Sequence, residues 1–265
     1  MKVYLSVDIE GTAGITNWDE ADKAHADYAA HSEQMTRETL AACEGAHAAG
    51  AKEILIKDAH DSGRNILQPD LPENARLIRA WSEHPLCMVQ ELDKSFDAVL
   101  LVGYHSMAGD EGNPLAHTLT GRVMRMRING MPTSESLIAA YATAYVGVPV
   151  VFVSGDRMLG KHVKSHNPNI VTVATSKGKG PSTISIAPKA ACARIRDGVK
   201  RALSGNLKRY MLKLPKRFRL EIEYSDPVSA YKFSWYPGCK HVGNRTVRLE
   251  TRDYFEVLRA LNFIT

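Results

Sequence analysis

Apolar residues in the first 156 positions fall into short, nearly unbroken runs separated by polar and glycine-containing stretches. Four of these runs read as strands: residues 2–10 (KVYLSVDIE), 52–60 (KEILIKDAH), 96–106 (FDAVLLVGYHS) and 149–156 (PVVFVSGD). Continuous rather than alternating apolar character is the mark of strands covered on both faces. Between the first two, residues 32–49 (SEQMTRETLAACEGAHAA) carry a helical pattern that Gly50 closes, and a second helix is expected from Ser134 to Val146, capped by Thr133 or Ser134. Strands alternating with helices predict an α/β fold with a doubly wound, mainly parallel sheet flanked by helices.

The pattern changes twice later on. In GRVMRMRINGMP (121–132), Met124, Met126 and Ile128 alternate with basic residues ahead of Asn129-Gly130, which predicts a hairpin. The Lys/Gly-rich stretch 176–181 reads as a mobile loop. Beyond Pro215, FRLEIEYSD and RTVRLET alternate strictly, with helical stretches near 226–233 and 252–263. The expected organisation is a catalytic α/β domain over 1–205 and a smaller α+β C-terminal lobe over 206–265, the latter a candidate oligomer contact.

Composition narrows the function classes. The 265 residues suffice for a full core, and contents of 44% hydrophobic and 24% charged residues are those of a folded globular chain. No apolar run approaches a membrane span and the start lacks a signal-peptide pattern, so a cytoplasmic location and no membrane partner are expected. Cys43, Cys87, Cys192 and Cys239 are scattered and form no CxxC pair, which argues against a thiolate zinc site and a disulfide framework. The net charge of +5 is concentrated late, as in LKRYMLKLPKRFRL, and reads as a solvated basic face. No nucleic-acid partner is expected, because no binding module or interleaved aromatics accompany it.

Candidate chemistry lies at the strand ends. Asp8 and Glu10 are two residues apart on a strand and so face the same way, where unpaired they would repel. The second strand ends in Asp58 and His60, and the third in His105. Ligands of open α/β sheets bind beyond the carboxyl ends of the strands, so these residues can converge without being close in sequence. Carboxylates and imidazoles are zinc-type donors, and one carboxylate can bridge two ions. Glu135, in the first turn of its helix, also suits the helix dipole. His117 sits in the loop EGNPLAHTLTG, a suitable place for a proton-transfer group or an ordinary surface histidine. Asp156 ends another strand and reads foremost as a helix cap. Phosphate-loop, dinucleotide, HExxH and GxSxG motifs are absent.

The ordered set SVDIEGTAGI, KDAHDS, LLVGYHS, AHTLTG and INGMPTSESLIAAYATAYVGVPVVFVSGD resembles the DppA-type D-aminopeptidase family over residues 1–157, and more loosely to the C-terminus. That resemblance implies an aminopeptidase with two zinc ions per subunit that removes D-residues, D-Ala typically, from short peptides. It also implies a self-compartmentalising, ring-shaped homodecamer. Carried over position by position, it places metal ligands on Asp8, Glu10, His60, His105 and Glu135, with Asp8 bridging, and the catalytic histidine on His117. Whether His117 transfers a proton or attacks the carbonyl stays open at this level. Alternative readings are a metal-dependent peptidase of L-peptides or cell-wall fragments, a metal-stabilised binding protein without turnover, and a basic RNA-binding protein.

Overall fold

The apolar runs become adjacent strands of one sheet. The computed structural model describes residues 1–265. In chain order its elements are β1 (Lys2–Val7), α1 (Tyr28–Ala48), β2 (Glu53–Asp58), β3 (Ala75–Ile78), β4 (Ala98–Tyr104), β5 (Val123–Ile128) and β6 (Met131–Pro132). They continue with α2 (Glu135–Val146), β7 (Val150–Asp156), α3 (Arg157–His166), β8 (Val171–Lys179), β9 (Ser182–Ser185) and α4 (Pro188–Leu203). The chain ends in β10 (Phe218–Tyr224), α5 (Pro227–Phe233), β11 (Cys239–Gly243), β12 (Thr246–Thr251) and α6 (Tyr254–Ile264). No helix is long and apolar enough to cross a membrane.

The main sheet has seven strands in the order β3-β2-β1-β4-β7-β8-β9, parallel except for β9. The doubly wound α/β expectation is met, because every residue of β4 and β7 is buried, as strands covered on both faces must be. Helices α1 and α4 pack against each other beside the sheet. A second sheet, β11-β12-β10-β5-β6, is antiparallel. Its alternation is visible in β10, where Phe218, Leu220, Ile222 and Tyr224 are buried and the residues between them are not.

The second sheet is not built from the tail alone. The hairpin β5–β6 turns through Asn129 and Gly130, both at positive φ (54° and 83°), and β5 pairs with β10. The lobe expected over 206–265 therefore shares its sheet with residues 123–132. One core cluster of 67 buried residues runs through both sheets, so the lobe has no separate core. Tyr254 Oη donates to the Ile138 carbonyl at 3.0 Å, tying α6 to α2.

The stretch 176–181, expected as a mobile loop, is instead a hairpin: Ser176–Lys179 pairs with Ser182–Ser185 around Gly180, whose φ is +56°. Its glycines and lysines serve an exposed turn. Helix α4 has no counterpart in the sequence reading, and of α3 only the cap at Asp156 was expected.

Register places the site. Val7 is aligned with Asp58 on one side and Val102 on the other, and the ladders run on through Asp8 N–H to the Val102 carbonyl and Ala59 N–H to the Val7 carbonyl, both 2.8 Å. Residues just past these positions leave the sheet side by side. The backbones touch there: a Cβ on Gly11 would lie 1.7 Å from the Tyr104 carbonyl oxygen. Gly11→Ala should therefore lower stability by at least about 1–3 kcal/mol through forced backbone displacement. Gly121→Ala, which meets open space at an ordinary φ, should stay within about 0.5 kcal/mol. Urea midpoints of the two variants check this contrast.

Candidate metal centre

Beyond the carboxyl ends of β1, β2 and β4 the chain delivers Asp8, Glu10, His60 and His105, and α2 adds Glu135 at its first position. Strand order reverses direction between β1 and β4, so the cluster occupies the topological switch point of the sheet. His117 approaches from the loop between β4 and β5. All five expected ligands are buried, at 7% exposure or less, and His117 is partly buried.

Asp8 is central. Its Oδ1 lies 3.4 Å from His60 Nδ1 and its Oδ2 lies 3.6 Å from His105 Nε2, so its two oxygens face two different imidazoles. Glu10 Oε1 completes the first side at 3.1 Å from His60 Nδ1, and Glu135 Oε2 the second at 3.3 Å from His105 Nε2. His117 Nε2 stands 3.6 Å from Glu135 Oε1 and 3.9 Å from Glu10 Oε1, its ring stacked on that of His105 with centroids 4.3 Å apart.

Each imidazole is oriented by a backbone carbonyl. His60 Nε2 donates to the Ala21 carbonyl (2.8 Å), His105 Nδ1 to that of Ser106 (2.8 Å) and His117 Nδ1 to that of Leu115 (2.9 Å). A carbonyl can only accept, so the nitrogen bonded to it carries hydrogen and the other nitrogen is turned to the carboxylates. The carboxylates are fixed as well: Asp8 Oδ1 accepts from Ile9 N–H (2.9 Å) and Glu135 Oε1 from Leu119 N–H (2.7 Å). Ser134 Oγ accepts from Leu137 N–H, so the expected cap starts α2 where Glu135 reaches the cluster.

The charges are strongly interdependent. Burial opposes ionisation of Glu10 and Glu135, but the adjacent imidazoles outweigh it and hold both carboxyls well below the usual range. Burial and the neighbouring Glu10 push Asp8 well up. Burial also opposes charge on His60 and His105, yet the carboxylates beside them hold both well above the usual imidazole range.

This donor set fits a divalent cation. Three groups, Asp8/Glu10/His60, Asp8/His105/Glu135 and Glu10/His105/His117, each offer ligand atoms within 4.8 Å of one another. Glu10 Oε2 and His105 Nε2 are buried without a hydrogen-bond partner, which is costly unless something else engages them. Carboxylate oxygens and carbonyl-oriented imidazoles are donors of the kind that zinc accepts.

Two supporting residues were read differently or missed. Asp156 caps α3 through Met158 N–H and Leu159 N–H, as expected, and also accepts from Ser106 N–H and Ser106 Oγ, both at 2.6 Å. It thereby fixes the residue whose carbonyl orients His105. Asn113 donates to the Glu10 carbonyl (2.8 Å), a contact spanning 103 residues that no local pattern could reveal. Asp58, the last residue of β2, stays out of the cluster and accepts from Asn65 and Ile66 N–H instead.

The cluster opens into a cavity of about 610 Å³. One wall is apolar, with Leu86, Met88, Ile138, Leu258 and Leu261, and Trp18 packs edge-on to His117 at the mouth. A small polar ligand with an apolar side group could enter it and meet the cluster.

The fold agrees with that of a known protein. The family model of Peptidase M55, described as D-aminopeptidase, matches residues 1–263. A D-aminopeptidase of Bacillus subtilis (strain 168) is 30% identical over 267 residues, an alignment covering 100% of this chain and 97% of the relative. The solved structure of the Zn-dependent D-aminopeptidase DppA from Bacillus subtilis, described as a self-compartmentalizing protease, superposes with a TM-score of 0.93 at 28% identity. That superposition covers 100% of this chain and 96% of that one. A match over nearly the whole length, on a fold whose strand ends build the cluster above, means that this chain belongs to the D-aminopeptidase family, Peptidase M55.

Proposed function

We propose that the protein is a zinc-dependent aminopeptidase that releases N-terminal D-residues, D-Ala typically, from short peptides. The observation that carries the metal assignment is Asp8, whose two oxygens face two separate imidazoles, each with a further carboxylate. On this reading two zinc ions bind per subunit, one by Asp8, Glu10 and His60, the other by Asp8, His105 and Glu135, with Asp8 shared. Zinc held there supplies Lewis acidity that polarises a peptide carbonyl and lowers the pKa of water towards neutrality.

The chain's own groups do the rest. Leu86, Met88, Ile138, Leu258 and Leu261 exclude water along one side of the cavity and receive the apolar parts of the substrate. His117 is the proton-transfer residue: its Nδ1 is tied to Leu115 and its Nε2 faces the cluster from the cavity side. It can take a proton at Nε2 from the attacking water and return it to the departing amine nitrogen, that atom lying 3.6 Å from Glu135 Oε1 and 3.9 Å from Glu10 Oε1.

The cytoplasmic location expected from the sequence is kept as part of this reading, in keeping with four free cysteines. It also assembles into a homodecameric ring. The β5–β6 hairpin and the small lobe are the proposed contacts, because Met124, Met131, Val228, Tyr231 and Trp235 are exposed there.

Purified protein should cleave D-Ala-D-Ala and leave L-Ala-L-Ala intact, lose activity on chelation and regain it with zinc. Turnover of the L-peptide would overturn the D-specific reading. Glu10→Ala should abolish both zinc retention and turnover, whereas His117→Ala should keep the zinc and lose about 10²–10⁴-fold in kcat; metal analysis alongside kinetics separates the two roles. Because carboxylates hold His60 and His105 protonated, zinc capture must expel protons. Calorimetric titrations in buffers of different ionisation enthalpy should show net proton release and an affinity that falls as pH falls. Light scattering should give a single species of decamer mass, and a monomer at working concentration would refute the assembly.

A further inference from the structure

A second buried carboxyl lies outside the metal centre. Glu38 and Gln34 sit one turn apart on α1 at 0% and 5% exposure. Glu38 Oε1 accepts from Ala13 N–H (2.8 Å) and from Gln34 Nε2 (2.9 Å). The other end of each group is orphaned: Glu38 Oε2 and Gln34 Oε1 are both buried with no hydrogen-bond partner. An ionised carboxylate offers only acceptors, so it can satisfy neither its own Oε2 nor the amide oxygen. A single proton on Oε2, donated to Gln34 Oε1, would satisfy both and, with the Nε2–Oε1 bond already present, would close an acid–amide ring in which each group donates once and accepts once.

We infer that Glu38 is a neutral carboxylic acid in the folded protein, paired edge to edge with Gln34, and in that form is the positioning residue that fixes Ala13 and so the turn carrying Glu10. Burial supports this, pushing the carboxyl up from 4.5 to about 7. No counter-charge faces the pair. From α4 comes the Cys192 thiol, itself raised by burial; Arg37 is exposed and paired with Glu33; and His31, on the turn of α1 before Gln34, faces Glu20 at 3.6 Å. The turn itself contributes only backbone at Ala13. The same turn is also held by Gly11 N–H to the Gly103 carbonyl (2.8 Å), Thr175 Oγ1 to the Gly11 carbonyl (2.6 Å), Asn113 Nδ2 to the Glu10 carbonyl (2.8 Å) and Gly14 N–H to Ser185 Oγ (2.9 Å), and Glu38 alone takes the Ala13 N–H.

The sign of the linkage is set by the raised carboxyl. The folded state keeps a proton that the unfolded chain releases above 4.5, so the contribution of Glu38 to stability is complete below 4.5, declines as pH rises towards about 7 and is level beyond. Glu38→Gln replaces the acid with an amide that makes the same ring without a titrating proton. The experiment compares zinc-loaded wild type, Glu38→Gln and Glu38→Ala by infrared difference spectra and thermal melts across that pH range, with hydrolysis as a third readout.

A neutral-carboxyl band should appear in wild type minus Glu38→Gln and fade above about pH 7. The melting advantage of Glu38→Gln should widen with pH over the same interval. Glu38→Ala should lose on the order of 10²-fold in kcat/KM through displacement of Glu10, and Glu38→Gln should restore it. No acid band between 4.5 and about 7, or a Glu38→Gln variant as impaired as Glu38→Ala, would overturn the inference. The spectra and melts read Glu38 directly, so they stand whatever the substrate proves to be.

Discussion

Charge buried at the carboxyl edge of the main sheet is the constraint on which the rest depends. Asp8, Glu10 and Glu135 are all at 4% exposure or less, and three carboxylates cannot share one dry volume without compensating positive charge. Protonated imidazoles at His60 and His105 can supply it, and the proposed zinc, in displacing those protons, would supply it in their place. Nearly everything around the cluster serves to hold these groups together against that cost. The parallel register brings β1, β2 and β4 out at one level, and the glycine at position 11 lets the turn after β1 lie against the end of β4.

The surrounding structure extends this support in two directions. On the β7 side, Asp156 organises Ser106, which orients His105, so a residue that begins α3 also controls an imidazole on the neighbouring strand. On the α2 side, Glu135 belongs to a helix anchored by Tyr254 of α6. The C-terminal lobe is thus coupled to the cluster through packing, and the apolar wall of the cavity is partly made from it. This is why a single core runs through both sheets.

Much of this was legible in the sequence, for identifiable reasons. Buried parallel strands write themselves as unbroken apolar runs, and the polar residues that stop each run had to lie at the strand ends; Asp8, Glu10, His60 and His105 were found that way. Glu135 and His117 were visible as a helix start and a loop histidine, but only family resemblance gave them roles, because neither a cap position nor a loop specifies what it faces. Helix α4 went unread because its apolar face is sparse, with Ala191, Ile195, Val199 and Ala202 at helical spacing among basic residues. The partners of Glu10 and Ala13, at Asn113 and Glu38, depend on contacts across 103 and 25 residues and leave no local trace.

The carbonyls of Ala21, Ser106 and Leu115 that aim the three imidazoles are backbone atoms. No side-chain substitution at those positions removes the acceptor. The side chains at 21, 106 and 115 therefore matter to the tautomers only through the chain path they hold, Ser106 by its bond to Asp156 and Ala21 and Leu115 by their burial. Insertions and deletions in these segments are the changes selection would purge. The site's orientation is inherited through the path of the chain, which loop length sets together with the few contacts that pin it.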